Sequence, residues 1–190
     1  EDSVASLARR QGRSGPEVAY DMMLSDEGRN FLYVAFTSFD DYTLASVEET
    51  LKHPNAMVGL GDAGAHVGFI TDASFTTWLL THWGRDRPRG RLPLEELVRR
   101  YTSDPAATVG LPDRGLVRVG MKADLNVIDF DHLAVQMPYP VDDLPGGGRR
   151  LMQKARGYAA TLCSGVVTYR GGEATGRKPG QLVRAPVRRA

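Results

Sequence analysis

A chain of 190 residues, 42% hydrophobic and 25% charged, has the balance of a globular protein and excludes a fibrous or wholly disordered one. Its 24 Lys and Arg against 23 Asp and Glu leave a formal charge of +1, so no overall field recommends nucleic acid or an anionic membrane as partner. No apolar run approaches the roughly 20 residues of a membrane span. The single cysteine, Cys163, excludes an intrachain disulfide and fits a reducing, cytoplasmic setting.

The chain opens at Glu1-Asp2-Ser3-Val4, which enters a helical pattern at once and is read as starting inside a longer natural chain. Residues 3–11 form the first expected helix. Ser14-Gly15-Pro16 caps a second, with proline at the first helical position, where its missing N–H costs nothing. Residues 31–36, Phe-Leu-Tyr-Val-Ala-Phe, are aromatic and β-branched and too short for a helix, so they are expected to form a strand. Asp40 or Asp41 then caps a helix with Leu44, Val47 and Leu51 on one face, stopped by His53-Pro54. Residues 57–60 follow as a second strand, and strand, helix, strand at this spacing predicts a right-handed parallel βαβ unit.

Beyond it, a helix is expected over residues 74–83. Another is expected over 93–100, where Leu94, Leu97, Val98 and Tyr101 fall at i, i+3, i+4 and i+7. Asp104-Pro105 starts one or two more turns that end near Gly110. After Leu111 the texture changes. Residues 125–130 have strand composition, Pro138, Pro140 and Gly146-Gly-Gly148 mark a long irregular connection, and residues 158–169 read as a hairpin turning at Ser164-Gly165. Cys163 sits in an apolar strand pattern and is read as packing. Asp124 is read as serving its own turn.

The stretch Met57-Val-Gly-Leu-Gly-Asp-Ala-Gly-Ala-His-Val-Gly68 carries two incompatible meanings. Gly59, Gly61 and Gly64 fit the G-x-G-x-x-G turn that admits a dinucleotide pyrophosphate. That reading needs a helix from about Gly64, and it puts the carboxylate of Asp62 where phosphate charge would sit. Asp62 just past a short apolar strand, with His66 four residues on, suits metal or proton-transfer chemistry at the carboxyl end of a barrel strand. The plain alternative is that Asp62 caps a turn and His66 packs at a rim.

The segment His53-Pro54-x-x-Met57-Val-Gly-x-Gly-Asp62-Ala-Gly resembles the last barrel strand of the amidohydrolase superfamily, in its N-acyl-D-amino-acid deacylase (D-aminoacylase) branch. Further pieces agree in order. These are Leu94-Glu-Glu-x-Val98 through Thr102-Ser-Asp-Pro-Ala106, Gly110-Leu with Asp113-Arg-Gly115, Gly120-x-x-Ala123-Asp-Leu-x-Val127-Ile-Asp129, and the closing Gly165-Val-Val-Thr-Tyr-Arg-x-Gly172 through Thr175 and Pro179-Gly180.

The resemblance implies an α/β fold: the C-terminal part of a (β/α)8 barrel over residues 1–111, followed by strands of a small β-sandwich over 112–190. It implies hydrolysis of a non-peptide C–N bond in an N-acyl amino acid-like small molecule, with zinc as cofactor. Asp62 carries over as the residue that contacts the metal and relays the proton of its bound water to the leaving amine. Apart from the resemblance, His66 is read as touching substrate, orienting Asp62 or packing at a rim, and Arg85 as pairing with a substrate carboxylate in bidentate fashion or standing on a solvated surface. Asp72, His82 and Arg87 come from the same region, while Trp78, Leu79, Leu80 and Trp83 are read as core.

The family's early His-x-His pair has no match, since the four histidines stand at 53, 66, 82 and 132. The isolated chain is therefore expected to be inactive and to need further chain or a partner copy to cover its apolar faces. The competing functions are a non-catalytic association or scaffold domain and a nucleotide-dependent oxidoreductase.

Overall fold

The computed structural model describes residues 3–34 and 43–184. The chain forms two compact units, Glu1–Glu49 and Thr50–Ala190.

In the first unit the cap expected at Ser14 is present, while the one expected at Asp40 or Asp41 lies outside the described residues. Helix α1 (Val4–Gln11) starts at Ser3, whose side chain accepts the Ser6 amide, and stops at Gly12 in the left-handed region. Helix α2 (Gly15–Gly28) begins with a full capping box: the Ser14 hydroxyl accepts the Glu17 amide while the Glu17 carboxylate accepts the Ser14 amide. That hydroxyl also donates to the carboxylate, which holds Glu17 below the ordinary carboxylate range. The regular geometry of α2 breaks at Ser25, where Asp26 and Glu27 turn left-handed. Ala8 and Val18 are the buried apolar side chains of the two helices.

Helix α3 (Ala45–Lys52) is stopped at His53-Pro54 as expected. Among the described residues the parallel strands that should flank it are not formed. Residues 31–34 and 57–60 carry no ladder, and residues 35 and 36 lie outside the described residues. Every strand pairing among the described residues is antiparallel. A single parallel strand has no hydrogen-bond partner of its own, so composition alone does not produce one. Leu60 is 99% exposed and Val58 half-buried, so the segment covers no full apolar face.

The second unit has a helical layer and a β-rich layer. A 3-10 turn (Asp72–Ser74) runs into helix α4 (Phe75–Trp78), which continues as π-helix over Leu79–Asp86. Helix α5 (Leu94–Tyr101) follows, then α6 (Ser103–Thr108). Leu79, Leu80, Trp83, Leu92, Leu97 and Ala106 make the core of this layer, with Trp83 and Leu97 at 0% exposure. A Cβ on Gly84 would stand 3.1 Å from Leu97 Cδ1, so the π segment approaches α5 closely because residue 84 has no side chain. Trp78 departs from the core assignment: it is 41% exposed.

The main sheet is four-stranded in the order β1-β6-β7-β8, with β1 at Leu125–Ile128, β6 at Tyr158–Cys163, β7 at Val166–Arg170 and β8 at Glu173–Ala174. Ser164 (φ 50°) and Gly165 (φ 80°) make the β6–β7 turn in the left-handed geometry that matches strand twist. Asp124 works outside its own turn: Oδ1 accepts the Ser164 amide at 2.7 Å and Oδ2 pairs with Arg114 at 3.3 Å. Strands β2 (Ala134–Val135) and β5 (Ala155–Arg156) form a second small ladder.

The connection expected to be irregular is a hairpin, β3 (Tyr139–Leu144) on β4 (Gly148–Met152). Pro140 is tolerated because this two-stranded ladder offers it an edge. Gly146 and Gly147, both with positive φ, make the reversal. Crossed pairs, Asp142 with Arg149 at 2.8 Å and Asp143 with Arg150 at 2.6 Å, align the strands and hold both aspartates below their ordinary range. The described residues thus show mixed helix and sheet. None of their helices is long and apolar enough to cross a membrane.

Candidate active site

Asp62 and His66 lie on one exposed turn. The Ala65 amide donates to the Asp62 carbonyl at 3.1 Å, Gly64 has φ +97°, and His66 is itself left-handed at φ 47°. The His66 carbonyl then accepts the amides of Phe69 and Ile70, and its ring stacks on Phe69 with centroids 5.2 Å apart. A non-glycine residue in this region is uncommon. The turn is tied to the hairpin by the Leu151 amide, which donates to the Val67 carbonyl at 2.8 Å.

The glycine pattern now has a different explanation. No helix begins at Gly64. The Asp62 amide, which a phosphate would need, donates instead to Asp72 Oδ2 at 2.6 Å. Gly61 lets that carboxylate approach: a Cβ there would stand 2.6 Å from Asp72 Oδ2 and 3.1 Å from Phe75 Cδ1. Around Gly59 the space is open. An amide already given to a carboxylate and a turn with no following helix leave no cradle for a pyrophosphate.

Arg85 lies away from this turn in its contacts. Its Nε and Nη2 donate to Asp86 at 2.6 and 3.2 Å, Nη1 donates to the carbonyls of Phe130 and Asp131, and Nη2 also reaches the Leu133 carbonyl at 2.8 Å. These bonds use all five guanidinium N–H groups, so a substrate carboxylate would have to displace one of them. The arginine clamps the loop of residues 130–133, and the adjacent Asp86 is held below the ordinary carboxylate range by it. Arg87 stacks over Trp83 at 4.0 Å from the ring centroid.

His82 lies between two indoles, stacked on Trp78 at 4.4 Å and edge-on to Trp83 at 5.4 Å. Its Nε2 is buried without a hydrogen-bond partner among the described residues. Burial, and then the nearby Arg87 cation, push its pKa below 6.5, with Asp86 opposing. In the window just below 6.5 the unfolded chain therefore binds more protons than the folded one. Stability should rise with pH through that window and level off above it. Melting curves from pH 4.5 to 8 should show this slope in the wild type and a shallower one in His82→Gln.

Among the described residues no group of three or more His, Cys, Asp or Glu side chains converges as a metal site. A catalytic zinc takes about three protein ligands, so Asp62 with His66 does not form one unaided. What the turn offers by itself is an exposed carboxylate at Asp62 and, four residues on, an exposed imidazole whose ring contact is with Phe69. Asp72, the residue that grips the turn, was detectable in the sequence only as one more polar residue downstream.

Comparison with curated proteins and with solved structures gave no match. A model of the amidohydrolase family, by contrast, matches residues 1–169, which include the Asp62 turn, the helical layer and most of the main sheet. The chain belongs to the amidohydrolase family.

Proposed function

We propose that this chain forms part of a metal-dependent hydrolase of the N-acyl-D-amino-acid deacylase kind, which cleaves the amide C–N bond of an N-acyl amino acid. The observation that carries the reading is Asp62: an exposed carboxylate on a turn held at its own amide by Asp72. Such a group can take the proton of an attacking water and return it to the amine nitrogen as the C–N bond breaks. His66, four residues on and fixed in the left-handed region, is the accompanying substrate contact. Arg85 joins it only if a substrate carboxylate replaces Asp86.

Zinc is the proposed metal, with its other ligands outside the described residues. Residues 1–111 are assigned to the barrel part and 112–190 to the sandwich part, a division supported by the antiparallel sheet β1-β6-β7-β8. Val117, Val119 and Met137 stay almost wholly exposed, which supports a covering surface from further chain or a second copy. A cytoplasmic setting fits the single cysteine.

The test is amine release from paired D- and L- N-acetyl amino acids by the complete protein, before and after chelation and zinc addition. Hydrolysis of the D-series that disappears with chelator and returns with zinc is expected. No release from any acyl amino acid would favour the association-domain alternative.

A further inference from the structure

A carboxylate on an exposed turn works only if the turn presents it in one place, and three observations show what does this for Asp62. Asp72 Oδ2 accepts the Asp62 amide at 2.6 Å, across ten residues of chain. Charge-assisted bonds of this kind are roughly twice as strong as neutral ones. Asp72 Oδ1 is buried with no partner among the described residues. A carboxylate kept out of water in that way is costly unless its place is set by something else. Finally, Gly61 leaves the space the carboxylate fills, since a Cβ would stand 2.6 Å from Oδ2 and 3.0 Å from Cγ. An ordinary capping role does not account for this, because the aspartate opens its 3-10 turn yet serves an amide in another loop.

We propose that Asp72 is a positioning residue for the reaction, fixing the main chain at Asp62 so that the Asp62 carboxylate faces the substrate. This rests on the reading of Asp62 given above. Gly61 is the second half of the device, because any side chain there pushes the Asp72 carboxylate off the Asp62 amide.

The complete protein, with its metal content as purified, is compared as wild type, Asp72→Ala, Asp72→Asn and Asp62→Asn. The measurements are kcat and KM on the best-turned-over N-acetyl amino acid, the melting temperature, and hydrogen exchange at the Asp62 amide. Asparagine keeps an acceptor oxygen, whereas alanine keeps none. Asp72→Ala should lower kcat at least about tenfold with KM within about threefold, and Asp72→Asn should recover most of that loss. Exchange at the Asp62 amide should accelerate about tenfold or more in Asp72→Ala alone.

A kcat within about twofold of wild type in Asp72→Ala, or equal losses in both variants, overturns the proposal. If Asp72→Ala does not fold, Gly61→Ala displaces the same carboxylate from the other side. It should reproduce the kcat loss, and unchanged turnover there overturns the proposal too. Wild-type turnover in Asp62→Asn would sink the underlying reading instead. The two failures separate on that variant: a kcat loss in Asp62→Asn beside wild-type turnover in Asp72→Ala overturns the positioning role alone, whereas wild-type turnover in Asp62→Asn removes the reading on which it rests.

Discussion

Asp62→Asn should reduce kcat for amide hydrolysis by about 10²–10⁴-fold, the range over which a positioned proton-transfer group acts. The substitution is nearly isosteric, and the bond that Asp72 accepts comes from the main chain of residue 62, so the turn itself is not disturbed. The side chain is exposed, and the melting temperature should stay within about 2 °C of wild type, as for other surface substitutions. The two measurements together separate lost chemistry from lost structure. A fall in both would mean that Asp62 supports the fold, and unchanged hydrolysis would remove it from the mechanism.

The largest effect on stability is expected at Gly157. It adopts φ +97°, and a Cβ there would lie 2.6 Å from Leu133 Cα, 2.9 Å from Leu133 N and 3.0 Å from the Asp129 carbonyl oxygen. All three are main-chain atoms and cannot rotate aside. Leu133 is fully buried, and the Gly157 carbonyl accepts the Asp129 amide at 2.8 Å, so the contact joins the end of β1 to the start of β6. Gly157→Ala should therefore cost about 3 kcal/mol or more, of which the left-handed backbone supplies about 1–2. For a domain of this size that is a fall of roughly 6–12 °C in melting temperature.

Gly171→Ala is the control, because Gly171 also has positive φ (+56°) but open space within 4 Å. It should show only the backbone cost of about 1–2 kcal/mol. Equal effects at the two positions would refute the steric explanation.

Short-range chemistry was legible in the sequence. Ser14 and Pro16 announced the start of α2, the spacing of Leu94, Leu97 and Tyr101 announced α5, and Ser164-Gly165 announced the β6–β7 turn. Each is decided within eight residues of chain, by a capping bond, a helical period or a left-handed turn.

Other features were settled only by tertiary structure. The β3–β4 hairpin was hidden by Pro140 and the glycine run, although the Asp142-Asp143 and Arg149-Arg150 doublets were its signal. Among the described residues the strands expected around α3 did not form, because a ladder requires a neighbour and aromatic, β-branched composition does not supply one.

Gly61 looked like part of a phosphate loop until Asp72, ten residues on, was found filling the space beside it. Arg85 looked free to bind a substrate until five hydrogen bonds, three of them to main-chain carbonyls of residues 130, 131 and 133, took up its donors. The sequence by itself thus determined the local elements and the family resemblance. Only the tertiary structure decided which of those side chains keep donors and acceptors free for a ligand. Hydrogen bonds and close approaches between residues 10 to 48 positions apart depend on chain closure, which no local pattern encodes.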